Sequence, residues 1–206
     1  MHPGFSRYKL YLASANPGKL REFRHAALTR GIEVEALPGI AALPVCIEDG
    51  ETFEANALKK AIHYSRHTES LVFADDSGLC VDALGGAPGV YSARFAGPNA
   101  SDKSNNEKLL REMEKLPQSS RQAHYVCVIA LAKQQKILTA VEGRVDGKIC
   151  SSARGDSGFG YDPYFFYTPL GKTFAELTLE DKFAVSHRGI AFRRMLDYLE
   201  SNPSTI

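Results

Sequence analysis

The residues with most chemistry to offer are Asp75 and Asp76, which close an apolar run, Leu71-Val72-Phe73-Ala74, just before Ser77-Gly78. The run is long enough for a buried strand and the Ser-Gly pair predicts a turn. Both carboxylates are therefore expected at a strand end, where α/β sheets open their ligand crevice. There they suit a hard cation such as Mg²⁺, which takes one or two carboxylates together with phosphate oxygens. Alone, the pair reads equally as a solvated acidic turn. A second cluster, Ser14-Ala15-Asn16-Pro17-Gly18-Lys19, joins a strand pattern at 8–14 to a helical pattern from Lys19. Such a link aims unbonded N–H groups and the positive end of a helix dipole into the loop, as a phosphate site or as an ordinary connection. Lys19 opposes that dipole, and an anion would account for it. Asn56 and Lys60 stand one turn apart on a face with Phe53 and Ala57, either as a site wall or as a lysine snorkelling out of the core. Glu48, the segment Phe159-Gly160-Tyr161-Asp162, and Lys182 with His187-Arg188 complete the polar clusters. Phosphate donors, carboxylates for a metal and an aromatic plate together suit a Mg²⁺-bound nucleoside polyphosphate. Handling one takes positioning and charge neutralisation rather than a covalent nucleophile.

Periodicity supplies the elements that must hold these groups. Strands are predicted at 8–14, 33–37 and 71–74, and a helix at 52–67 carries Asn56 and Lys60. A Pro- and Gly-punctuated loop at 38–50 ends on Glu48 and Asp49. Gly85-Gly86-Ala87-Pro88-Gly89 is too rich in glycine for either element and leads to Arg94. The helix predicted at 101–116 has Leu109, Leu110, Met113 and Leu116 as its apolar stripe, and its charges read as a solvated face. Strands at 123–133 and 136–145 form a hairpin about Gln134-Gln135. A loop over 151–162 precedes a short aromatic strand, Tyr164 to Tyr167, and Ser186 is the expected N-cap of a final helix over 187–200.

The 206 residues are enough for one sizeable core, and 44% hydrophobic with 24% charged residues is ordinary for a globular protein. With a formal charge of +1, no global field draws the chain to nucleic acid or membrane, so an anionic substrate must be met by a local positive cluster. Cys46, Cys80, Cys127 and Cys150 have no metal or redox spacing, which points to reduced thiols in the cytoplasm. The N-terminus shows no apolar leader, and the longest apolar run, Tyr125 to Ala132, is too short to span a bilayer. No G-x-G-x-x-G, P-loop or G-x-S-x-G pattern is present.

In order along nearly the whole chain, five motifs resemble the inosine triphosphate pyrophosphatase (Ham1-like) family. They are Ser14 to Lys19; Thr52-Phe53-Glu54-Ala55-Asn56 through Lys60; Ala74-Asp75-Asp76-Ser77-Gly78 with Leu84 through Arg94; Phe159 to Asp162; and Lys182 through Arg188. The resemblance implies an α/β fold with a mixed central sheet flanked by helices, in two closely joined lobes with the substrate cleft between them. It also implies that 1–206 forms a single domain. The implied reaction is hydrolysis of ITP, dITP and XTP to the monophosphate and pyrophosphate, cleansing the nucleotide pool. Asp76 would be general base and Mg²⁺ ligand with Glu48 the second metal carboxylate, because an aspartate of ordinary pKa, about 3.9, is a poor base alone.

By the same resemblance, Lys19, Lys60 and Arg94 would hold the triphosphate, with Ser14, Asn16 and Ser77 as neutral donors around the Ala15-Pro17-Gly18 backbone and Asn56 in the wall. Asp75 would support Asp76. His187, Arg188 and Lys182 would donate to the O6 of hypoxanthine or xanthine and repel the 6-amine of adenine, while Phe159 or Tyr161 stacks on the base within the Phe159-Gly160-Tyr161-Asp162 segment. A homodimer is a family expectation. Two departures stand out: Ala15 where relatives often have Gly, and the Glu54-Ala55 order before Asn56. The alternatives are a Maf-like pyrophosphatase of other specificity and a catalytically silent nucleotide-binding regulator.

Overall fold

Helices and strands fall where burial and capping dictate. The computed structural model describes residues 8–28, 30–117 and 120–205; the segment 1–7, within the stretch read above as lacking an apolar leader, lies outside them. Strand β1 (Lys9–Leu12) leads through an exposed turn to helix α1 (Pro17–Leu28). The helix starts two residues earlier than its apolar pattern suggests. Asn16 caps it, its side-chain oxygen accepting the Lys19 N–H at 3.1 Å, and Pro17 sits at the first helical position, where no N–H is needed. Strand β2 (Glu33–Ala36) follows, and helix α2 (Phe53–Ser65) is capped by the Thr52 hydroxyl, which accepts the Ala55 N–H.

Strand β3 corrects the first expectation. It spans Val72–Val81 and passes straight through Asp75, Asp76, Ser77 and Gly78 without a turn. The acids lie inside a buried strand. Strand alternation sends neighbouring side chains to opposite faces. Phe73 meets Phe23 of α1, with ring centroids 5.2 Å apart, and Asp75 points the same way, towards Lys19 of α1. Asp76 turns instead to Asn56 and Lys60 of α2. The direct ion pairs therefore differ: Asp75 meets Lys19 and Arg188, and Asp76 meets Lys60.

Helix α3 (Asp102–Glu114) opens on a Ser101–Ser104 capping box. Strands β4 (Gln122–Lys133) and β5 (Lys136–Ile149) are joined by Gln134 and Gln135, both at positive φ (50° and 66°), the type I′ geometry that suits a tight hairpin. Strands β6 (Phe165–Tyr167) and β7 (Lys172–Thr173) precede helix α4 (Leu179–Val185), which the periodicity does not reveal, and helix α5 (His187–Ser201). The sheet is mixed, in the order β2-β1-β3-β4-β5-β6-β7, with β1 parallel to β2 and β3 and β6 antiparallel to β5 and β7. Among the described residues, no helix is long and apolar enough to cross a membrane.

The chain divides into two compact units. The first comprises residues 1–76, 127–143 and 188–206, and its core includes the aromatic triplet Phe23, Phe73 and Phe192. The second comprises 77–126 and 144–187, with Leu79, Leu109, Met113, Tyr125, Tyr161, Phe165 and Phe174 in one buried cluster.

Candidate active site

In the first unit, a buried lysine gathers the acids. Lys60, 7% exposed, places its ammonium 2.8 Å from Glu48 Oε2, 2.8 Å from the Asp75 carbonyl oxygen and 3.5 Å from Asp76 Oδ1. Burial works against its charge, but Asp76, Asp75 and Glu48 outweigh it and the pKa rises. Asn56, fully buried, donates to Asp76 Oδ2 at 3.0 Å. Its carbonyl accepts the Gly50 N–H and its amide donates back to the Gly50 carbonyl, so one side chain ties the end of the 38–50 loop to Asp76.

The two aspartates have opposite electrostatics. Burial is the largest influence on both. At Asp75 it is overcome by Lys19, whose ammonium is 2.8 Å away, and by Arg188 and Lys60, which hold the carboxyl down to about 2. At Asp76 burial wins over Lys60 and Lys19, with Glu48 adding repulsion, and the pKa is raised. Asp75 is thereby a fixed charge, while Asp76 is a carboxylate more willing to accept a proton. The awkward placement of Lys19 against the helix dipole is met, in the structure, by Asp75. Arg188 donates to Glu22 of α1 at 3.2 Å and has its Nε 3.7 Å from Asp75, so this guanidinium is committed to two buried acids.

Glu48 and Asp76 share the Lys60 ammonium, so two hard oxygen donors flank one cation position. Asp76 is only 10% exposed at its side chain, and burial raises its pKa despite Lys60 and Lys19. This donor set fits a hard divalent cation. Among the described residues no group of three or more His, Cys, Asp or Glu forms a complete cage, so the remaining ligands would come from phosphate and water.

The second unit holds the aromatic clusters. Lys182, 3% exposed, pairs with Asp162 and lies 5.1 Å from the centre of the half-buried Phe159 ring. Asp162 also accepts the Phe159 N–H at 2.9 Å. Tyr161 is 4% exposed, its ring in the core and its hydroxyl donating to the Ser92 carbonyl, which leaves Phe159 as the ring with an accessible face. His187 is 1% exposed and stacks on Tyr125 at 4.4 Å with ring planes 8° apart. Arg94 lies over the Tyr91 ring at 5.2 Å.

The model of the Ham1 family matches residues 10–198. The chain belongs to the Ham1 family. It is 49% identical over 193 residues to the dITP/XTP pyrophosphatase of Geobacter sulfurreducens, covering 93% of this chain and 96% of that one. It is 46% identical over 193 residues to that of Yersinia pseudotuberculosis, covering 93% and 98%. A Ham1 protein from Coxiella burnetii has the same fold, with a TM-score of 0.83 at 39% identity over 94% of this chain and 99% of that one.

Within this Ham1 chain the structure brings Lys19, Glu48, Asn56, Lys60, Asp75, Asp76 and Arg188 into one contact network in the first unit. Ala15, Asn16 and Pro17 are exposed at the N-terminus of α1. Glu22 joins that network, and sequence patterning overlooks it; the signal was its place one turn after Lys19 on α1. Gly50 is a second silent member. A Cβ there would stand 2.7 Å from Asn56 Oδ1, so Gly50→Ala displaces the amide that orients Asp76. We expect kcat to fall by about tenfold or more, because small misplacements of a catalytic group are costly, with a loss of thermal stability as well, since the same Cβ would stand 2.9 Å from the Ala55 Cβ. An unchanged kcat would show that Asn56 does not govern Asp76.

Proposed function

We propose that this Ham1 chain, 1–206 acting as one catalytic domain, is a Mg²⁺-dependent nucleoside triphosphate pyrophosphatase that converts ITP, dITP and XTP to their monophosphates and pyrophosphate. The observation that carries it is Asp76: buried, raised in pKa, hydrogen-bonded by Asn56 and flanked by Lys60 and Glu48. The names of its relatives, dITP/XTP pyrophosphatases, support the reaction and two of these substrates. Glu48 and Asp76 would hold the metal, which when bound lowers the pKa of water and offsets phosphate charge.

Asp76 takes a proton from the attacking water as the water oxygen bonds the α-phosphorus and the bond to the bridging β-phosphate oxygen breaks. Lys19 and Lys60, the Ser14–Gly18 backbone and hydroxyl, Ser77 and Arg94 offset charge as it moves onto the departing pyrophosphate. Lys60 stays protonated throughout, since the acids around it raise its pKa. The base rests on Phe159 with Lys182 as the donor to O6, and Asp162 holds that ammonium in place. Arg188 is committed to Glu22 and Asp75 rather than to O6. Cys127 is no nucleophile: burial pushes its thiol well up, and Asp75 reinforces the shift. A silent binding module has no use for a carboxylate of raised basicity beside a second acid.

The test is a panel of nucleoside triphosphates with Mg²⁺. Pyrophosphate should be released from ITP and XTP at kcat/KM on the order of 10² or more above ATP, as befits a site that hydrogen-bonds the discriminating group. Orthophosphate as product, or equal rates on ATP, overturns the assignment. In this setting the enzyme acts on free nucleotides in the cytoplasm as a homodimer, with neither nucleic acid nor membrane as partner.

A further inference from the structure

Helix α3 was expected to show solvent a charged face, yet its first two turns grip two loops of the second unit. Asp102 accepts the Gly160 N–H at 2.6 Å, and Asn106, one turn on, donates to the Gly160 carbonyl at 2.9 Å. Gly160, at φ 63°, is thus held at both its peptide groups, next to Phe159. Asn105 accepts the Ala96 N–H at 2.8 Å and donates to the Ala93 carbonyl at 3.1 Å, and Lys108 donates to the Phe95 carbonyl at 2.6 Å. These bonds bracket Arg94. Asn105 and Asn106 are 3% and 9% exposed and share a face with Leu109 and Met113, so the inward face is polar for its first turns and apolar thereafter. Burying amides on a core-facing helix stripe costs desolvation unless each is bonded. Here the bonds go to the backbone next to Phe159 and on either side of Arg94.

We propose that Asp102, Asn105 and Asn106 form a positioning bracket: Asp102 and Asn106 fix Phe159 as the base plate, and Asn105 fixes Arg94 as a phosphate holder. The bracket sets affinity and base preference without touching substrate. The roles of Phe159 and Arg94 rest on the function proposed above; the mechanical claim, that α3 immobilises them, does not.

The mechanical claim is tested without turnover. The chain has no tryptophan, so Phe159→Trp supplies a lone indole. Adding Asp102→Ala should raise acrylamide quenching of that indole about twofold, while Asp102→Asn, whose amide oxygen still accepts the Gly160 N–H, should leave it near the parent value. Equal quenching in all three overturns the bracket whatever the enzyme hydrolyses.

The kinetic consequence is tested on the unaltered Phe159 background. Asp102→Ala should raise KM for ITP about tenfold with kcat within about twofold, the range of one charge-assisted hydrogen bond. It should also narrow the ITP-over-ATP preference and leave inhibition by inorganic tripolyphosphate unchanged. Asn105→Ala should instead weaken tripolyphosphate inhibition. If the two variants weaken ITP and tripolyphosphate alike, α3 is merely structural and the bracket fails. If the parent releases no pyrophosphate from ITP while the quenching contrast holds, the functional assignment falls and the bracket stands.

Discussion

Asp76→Asn is expected to lower kcat for pyrophosphate release by on the order of 10³ or more while nucleotide binding stays within a few-fold of the parent. General-base catalysis by a positioned side chain contributes about 10²–10⁴-fold, and this residue would also lose its role at the metal. The substitution keeps size and shape, and the amide oxygen can still accept from Asn56, which donates to Asp76 Oδ2 at 3.0 Å in the parent. Binding should survive because Lys19 and Lys60 remain; removing a negative charge beside a polyphosphate also eases repulsion. The contrast between two measurements is therefore diagnostic: steady-state pyrophosphate release collapses, while equilibrium binding of a non-hydrolysable nucleotide analogue persists. Full turnover in the variant removes Asp76 from the chemistry. A joint loss of binding and turnover would point to structural damage instead.

Much of this site was legible because its motifs carry local signals. The Asn16-Pro17 start of α1, the Thr52 cap before Asn56 and Lys60, and the Gln134-Gln135 hairpin follow from capping and turn chemistry within a few residues. What misled was Asp75-Asp76-Ser77-Gly78. Local propensity treats such a run as a turn because isolated carboxylates and glycine weaken strands. The strand survives because its charges are met from far along the chain: Lys19 lies 56 residues before Asp75, and Arg188 arrives from the start of α5. No local window contains those partners. Asn105 and Asn106 failed for a related reason, since a buried amide is distinguishable from a solvated one only by the backbone it grips. Tyr161 was separable from Phe159 only by burial, one ring joining the core cluster and its neighbour two residues away staying half open.

Asp75→Asn is expected to cost about 2 kcal/mol of folding stability at neutral pH, a substantial share of the roughly 5–15 kcal/mol that holds a domain together. The carboxyl is entirely buried, which alone would favour its neutral form, yet Lys19, Arg188 and Lys60 hold its pKa at about 2 against an unperturbed 3.8. Attraction therefore exceeds burial by nearly two pKa units, worth about 2 kcal/mol in favour of the charged form. Asparagine stands in for the neutral acid, so the variant forfeits that preference and leaves Lys19 and Arg188 with less compensation. The sign with pH follows from the depressed folded value: Asp75 contributes its full stabilisation above the unfolded pKa of 3.8 and loses it as pH falls towards 2. Urea unfolding with chelator present should show parent and variant separated by about 2 kcal/mol from pH 5 upwards. The gap should shrink below pH 4 and close near pH 2, the parent descending to meet the variant. A gap that stays constant down to the lowest pH at which both fold would assign the loss to packing. Such a result would make Asp75 a shape-filling residue rather than the fixed charge that holds Lys19 and Arg188 in place.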